Sequence, residues 1–221
     1  NDYGKGLADS LAANFGGTIT ASVPHEDGKA DYSAEVATLA AAGGEMLAVL
    51  GYLDQGGKGI IEGSLDTGAF DQFILGDGMV GASLPAAIGS DLDASVGTAP
   101  GTVGNGIDAF NAAFAAAGYE GEGPFRAESY DAAALLMMAM QAAGSTDRDA
   151  IAAHVLHVAN APGEPILPGE LGKALDIIAA GGDVDYVGAS SVELIGPGEA
   201  AGSYIEYGYK DGEMFQVGPV Q

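Results

Sequence analysis

Asp77 stands between two glycines, Gly76 and Gly78, directly after the apolar run Phe73-Ile74-Leu75. Such a run reads as a short buried strand. A carboxylate just past the C-terminal end of a strand sits where open α/β sheets hold their ligands. The flanking glycines let the backbone bend and let a ligand approach closely. An ionised Asp77 there is equipped to grip an ammonium group through a charge-assisted hydrogen bond. The competing reading is an N-cap for the helix expected to begin near Met79. Residue type and position fit both.

Tyr3 and Tyr52 are the next candidates. Each is expected close after a strand end, and tyrosine offers an apolar face with a polar tip, suited to lining a cleft. Tyrosines that pack partly buried, with no ligand role, are the competing reading for both.

The other chemistry-bearing residues point away from catalysis. Gly76-Asp77-Gly78-Met79-Val80-Gly81 fits a dinucleotide fingerprint in form. However, its Asp would face a pyrophosphate with like charge, and the motif falls on a late strand. His154 and His157 are spaced for one helix face, but no third metal ligand accompanies them; they read as surface histidines, as does His25 beside Glu26 and Asp27. No serine lies in a nucleophile elbow. Asp183 and Asp185 read as a polar loop with too few ligands in a row for a calcium site. There are no cysteines, which excludes disulfides and thiol chemistry. No nucleophile–base pair is evident, so an enzyme is not expected, nor is a cofactor.

The elements that must position these residues alternate. Gly6–Phe15 reads as a helix with Leu7, Leu11 and Phe15 on one face, and Thr18–Val23 as a β-branched strand. Helical spacing over Tyr32–Ala42 precedes a strand at Met46–Leu50. A helix over Gly56–Thr67 leads to Phe73–Leu75, a helix near Met79–Ile88 and a strand at Ala94–Thr98. Strands separated by single helices predict a parallel sheet covered by helices on both faces. The pattern opens on a helix, so a strand and further sequence are expected upstream of Asn1.

After Pro100 helices dominate: Ile107–Ala117, Ser129–Ala143, Asp147–Ala159 and Pro168–Ala180. The second is apolar all round and is expected to be buried. Val192–Ile195 reads as a short strand. Tyr204–Tyr209 and Met214–Val217 read as a hairpin turning at Asp211-Gly212.

Composition bounds the partners. The 221 residues suffice for one large or two small domains. Thirty-one acidic residues against seven Lys and Arg leave a net charge of −24, which repels nucleic acid and anionic lipid alike. So acidic a surface suits a salty medium, where counter-ions screen self-repulsion. The longest apolar run, Ala132–Met140, is far short of the roughly 20 residues a spanning helix needs.

Several stretches, in order, resemble the type I periplasmic solute-binding proteins of ABC transporters, specifically the Leu/Ile/Val-binding group. They are Asn1-Asp2-Tyr3-Gly4-Lys5-Gly6, Asp31-Tyr32-Ser33 opening a helix, Leu50-Gly51-Tyr52, Leu75-Gly76-Asp77-Gly78, Glu128-Ser129-Tyr130-Asp131-Ala132 and the terminal hairpin. The resemblance implies a two-lobed α/β fold with parallel sheets flanked by helices. Residues 1–98 and 202–221 would form the C-terminal lobe. Residues 99–201 would be the remaining part of the N-terminal lobe, whose first half, with a signal peptide, would precede residue 1. It further implies a periplasmic, monomeric, non-enzymatic protein that closes on an amino acid or similar small solute and delivers it to an ABC permease. A sensor or receptor of the same fold is the alternative. Asp77 would then hold the ligand's amino group, with Tyr3 and Tyr52 or Leu53 lining the same jaw.

Overall fold

The computed structural model describes residues 1–120, 125–196 and 198–220. The chain runs α1 (Asp2–Asn14), α2 (Ser33–Ala42), β1 (Leu47–Val49), α3 (Gly57–Thr67), β2 (Phe73–Leu75), α4 (Ser83–Ile88) and β3 (Val96–Pro100). It continues through α5 (Asn105–Ala116), α6 (Arg126–Ala143), α7 (Arg148–Ala159), β4 (Glu164–Ile166), α8 (Leu171–Ala179) and β5 (Val184–Tyr186). It ends with β6 (Leu194–Ile195), β7 (Glu199–Ala200), β8 (Tyr204–Lys210) and β9 (Glu213–Pro219). Two compact units result: Asn1–Ala99 with Ile205–Gly218, and Pro100–Tyr204 with the residues from Pro219 on. Among the described residues no helix is long and apolar enough to cross a membrane.

The first unit is built on a five-stranded sheet of order β1-β2-β3-β8-β9. β1 pairs with β2, and β2 with β3, in parallel, with Val49 opposite Leu75 and Leu75 opposite Gly97. Single helices link these strands, as parallel neighbours require. The core gathers Leu47, Val49, Phe73 and Leu75 from the sheet, Val36 from α2, and Ile60 and Ile61 from α3. Asp211 and Gly212, both at positive φ (54° and 78°), make the tight turn of the β8–β9 hairpin. Tyr209 on β8 joins this core, and burial pushes its phenol up to about 12.

That shift gives a pH dependence. An unfolded tyrosine ionises near pH 10, whereas the folded one resists. Stability is therefore intact below about pH 10 and falls as the pH rises from about 10 towards 12. Tyr3 and Tyr186 are raised in the same direction, chiefly by burial. Thermal melts across this range are expected to drop steeply above about pH 10, and less steeply in Tyr209→Phe, which has no hydroxyl to ionise.

Two expectations for this unit need correction. Thr18–Val23 forms no strand. β-branching favours a pleated surface only when a ladder partner is present, and here β1 is the edge of the sheet with no ladder to this segment. Thr20 instead donates its hydroxyl to the Gly43 carbonyl at 2.6 Å. His25 is half-buried, not a surface residue, with its ring edge-on to Tyr32 at 5.8 Å.

In the second unit, α7 and α8 pack against α6, and β4 pairs in parallel with β5. Its core holds Leu135, Met138, Ile151, Val158, Ile166, Val184 and Tyr186. Asp185, expected in a polar loop, lies on β5, whose flanking Val184 and Tyr186 are buried. α6 is not buried all round. Ala134, Leu135, Met138 and Ala139 face inward, while Leu136 and Met137 are 47% and 42% exposed. Composition alone hid this one-sided packing, because both faces are apolar. His154 is half-buried, its Nδ1 at 2.8 Å from the Ala150 carbonyl; His157 is exposed, 3.3 Å from Asp183.

Asp131 is the buried charge of this unit, 2% exposed on α6. Its Oδ1 accepts from the Tyr186 hydroxyl and the Ala189 N–H, both at 2.8 Å. Its Oδ2 accepts from the Ser190 N–H at 2.7 Å and the Ser190 hydroxyl at 2.6 Å. Gly188 takes the left-handed conformation (φ 65°), and a side chain there would come within 2.7 Å of the carboxylate. The turn after β5 thus wraps the anion with donors, which is how a buried carboxylate is made tolerable.

Candidate functional site

The candidate residues of the first unit meet where β1 and β2 end. Asn1 caps α1, its side-chain oxygen accepting from the Gly4 N–H at 2.9 Å. A side chain on Gly4 would come within 2.5 Å of the Leu50 carbonyl oxygen, so the first turn of α1 lies directly on the chain leaving β1. That places Tyr3 over the loops after β1 and β2. Those loops are themselves pressed together: a Cβ on Gly78 would meet the Gly51 carbonyl oxygen at 2.5 Å. Only glycine at 78 allows this approach.

The Tyr3 hydroxyl donates to Asp77 Oδ1 at 2.5 Å and accepts the Gly78 N–H at 2.9 Å. The Tyr3 ring stacks on Tyr52, centroids 4.8 Å apart and planes 19° from parallel. Burial and the hydrogen bond to Asp77 hold the Tyr3 phenol far above its ordinary range, outweighing the opposite pull of the Gly78 N–H. Tyr3 therefore stays a hydroxyl donor. Asp77 is half-buried, and among the described residues no lysine, arginine or histidine pairs with it.

Of the two candidates after β1, Tyr52 stays at the surface, 40% exposed, while Leu53 turns into the core at 7%. The capping alternative for Asp77 fails on geometry. Asp77 opens a 3-10 turn, Asp77–Met79, and α4 starts only at Ser83 without a side-chain cap. The Asp77 side chain goes to Tyr3 instead. This hydrogen bond is what sequence reasoning missed. A contact spanning 74 positions leaves no local pattern.

The arrangement is a carboxylate at the mouth of a parallel sheet, one oxygen anchored, walled by two stacked aromatic rings. That chemistry suits a cationic group carried on an apolar body. It holds no nucleophile paired with a base.

The chain has the type I periplasmic-binding-protein fold. Its structure matches the leucine-binding protein LivK of Thermotoga maritima with a TM-score of 0.76 at 20% identity, covering 100% of this chain and 57% of that one. LivJ of Streptococcus pneumoniae, a branched-chain amino acid transporter substrate-binding protein solved with isoleucine, matches with a TM-score of 0.70 at 18% identity, covering 99% and 57%. In sequence the chain is 29% identical over 206 residues to BasB of Halobacterium salinarum, a chemotactic signal transduction system substrate-binding protein. That match covers 93% of this chain and 48% of BasB, so the chain spans about half the length of this curated relative. No family model matches the sequence.

Proposed function

We propose that this chain supplies one jaw of a solute-binding protein that captures an amino acid or a similar small solute. Asp77 takes the ligand's ammonium group, and Tyr52, backed by Tyr3, lines the wall beside it. The observation that carries this reading is the Asp77 carboxylate at the end of β2, fixed by Tyr3 and left without a cationic partner among the described residues. The likeness to LivK and to isoleucine-bound LivJ supports it. In this reading residues 1–98 and 202–221 belong to the C-terminal lobe and 99–201 to the N-terminal lobe. The division of the chain after Ala99 and again after Tyr204 supports that assignment. Ligand capture proceeds by hinge closure of the lobes. The protein works as an extracytoplasmic monomer, without catalysis, and hands its ligand to an ABC permease.

BasB favours a second reading of the membrane partner: a chemotaxis receptor in place of a permease. Pull-down of detergent-solubilised membranes with ligand-loaded protein separates the two by which partner is retained.

The binding claim is tested by a thermal-shift panel of amino acids on the protein with both jaws present, as wild type and as Asp77→Ala; the single jaw by itself is expected to bind weakly or not at all. Hydrophobic amino acids are expected to raise the melting temperature of the wild type, with affinity about tenfold or more weaker in the variant. Equal affinity in the two proteins contradicts the assignment.

A further inference from the structure

We propose that Tyr3 is a specificity-determining positioning residue, which makes the Asp77 site select a primary ammonium group over a guanidinium. The inference rests on the reading of Asp77 as the cation acceptor. A guanidinium presents a planar fork of N–H groups that fits both oxygens of a carboxylate at once. An ammonium is a compact donor that needs only one. In this site Oδ1 already receives the Tyr3 hydroxyl at 2.5 Å. A fork arriving at Asp77 therefore meets one oxygen already engaged by Tyr3, where a second hydrogen bond is weaker though not blocked, whereas an ammonium finds Oδ2 sufficient.

The Tyr3 hydroxyl is not free to rotate away. It accepts the Gly78 N–H at 2.9 Å, which orients its oxygen, and its ring is stacked on Tyr52. The first turn of α1 that carries it abuts the Leu50 carbonyl. Tyr3 thus does not offer its own proton to a ligand. It spends that proton on Asp77 and leaves Oδ2 the less engaged carboxylate oxygen.

The test uses two small cations with the same alkyl body, isoamylammonium and isoamylguanidinium. Each is titrated into nitrogen-15-labelled protein while the Gly78 and Tyr52 amide resonances are followed. The wild type is expected to bind the ammonium more tightly. In Tyr3→Phe, which keeps the ring and its stack but releases Oδ1, the guanidinium-to-ammonium affinity ratio is expected to rise by about tenfold. Asp77→Asn is expected to lose both ligands. An unchanged ratio in Tyr3→Phe, with binding still dependent on Asp77, overturns the role of Tyr3 and leaves the Asp77 reading intact. Absence of an Asp77-dependent response to either cation overturns that reading, and this inference with it. Should Tyr3→Phe not fold, hydroxyl exchange in the wild type decides. A Tyr3 hydroxyl proton exchanging slowly enough to split its carbon-13-labelled Cζ signal in mixed H2O and D2O supports the clamp. An unsplit Tyr3 signal contradicts it.

Discussion

Raising KCl from about 0.1 M to about 2 M is expected to raise the midpoint of thermal unfolding by roughly 10 °C or more. The net charge of −24 is the reason. Folding draws these like charges together, and at low salt their repulsion reaches about 10 Å, against about 3 Å at 1 M. The cations present do little locally. Lys5 pairs with Asp9, Lys29 with Glu35, and Lys173 with Glu164 and Glu170, all at or near the surface, where such pairs contribute little. Salt therefore screens far more repulsion than attraction. Differential scanning calorimetry across KCl concentrations checks this. A midpoint that stays flat or falls contradicts the screening argument.

Asp131→Ala is expected to cost about 3 kcal/mol or more in unfolding free energy. The substitution leaves the Tyr186 hydroxyl, two backbone N–H groups and the Ser190 hydroxyl without their acceptor. Buried donors stranded in this way carry their full desolvation cost. It also opens a void opposite Gly188, which the left-handed turn holds against the carboxylate. Asp131→Asn keeps the shape but places an N–H2 group against donors, so an intermediate loss is expected. Urea unfolding monitored by circular dichroism measures both. A loss below about 1 kcal/mol for the alanine variant would show that the turn after β5 is held by other contacts.

The parts of this fold that were legible in the sequence are those whose pattern is local. α3 shows its buried face in the spacing of Ile60 and Ile61, β2 is a run of three apolar residues, and the hairpin turn is written in Asp211-Gly212. What was not legible depended on distant partners. Thr18–Val23 has the residues of a strand but no ladder, and β5 has a ladder but only three residues, with Asp185 between two buried ones. The faces of α6 differ in what packs on them, not in composition.

The site shows the same division. Asp77 and Tyr52 were expected after strands and do follow β2 and β1, whereas Tyr3, expected after a strand end, lies in the first turn of α1. The hydroxyl that ties Tyr3 to Asp77 was not legible, because the fold alone brings positions 3 and 77 together. Asp131 did leave a signal: a carboxylate among the apolar residues of a helix has to find donors. Which donors it found depended on a turn nearly sixty residues downstream.

The proposed function depends on the Asp77 oxygen that Tyr3 leaves unbonded being within reach of an incoming amine. The most direct check is a crystal structure of the protein with whichever hydrophobic amino acid gives the largest thermal shift. The ligand nitrogen is predicted within about 3 Å of Asp77 Oδ2, with Tyr3 still on Oδ1. An amino acid bound with its nitrogen on other groups, or an Asp77 side chain closed off by packed protein, contradicts the account.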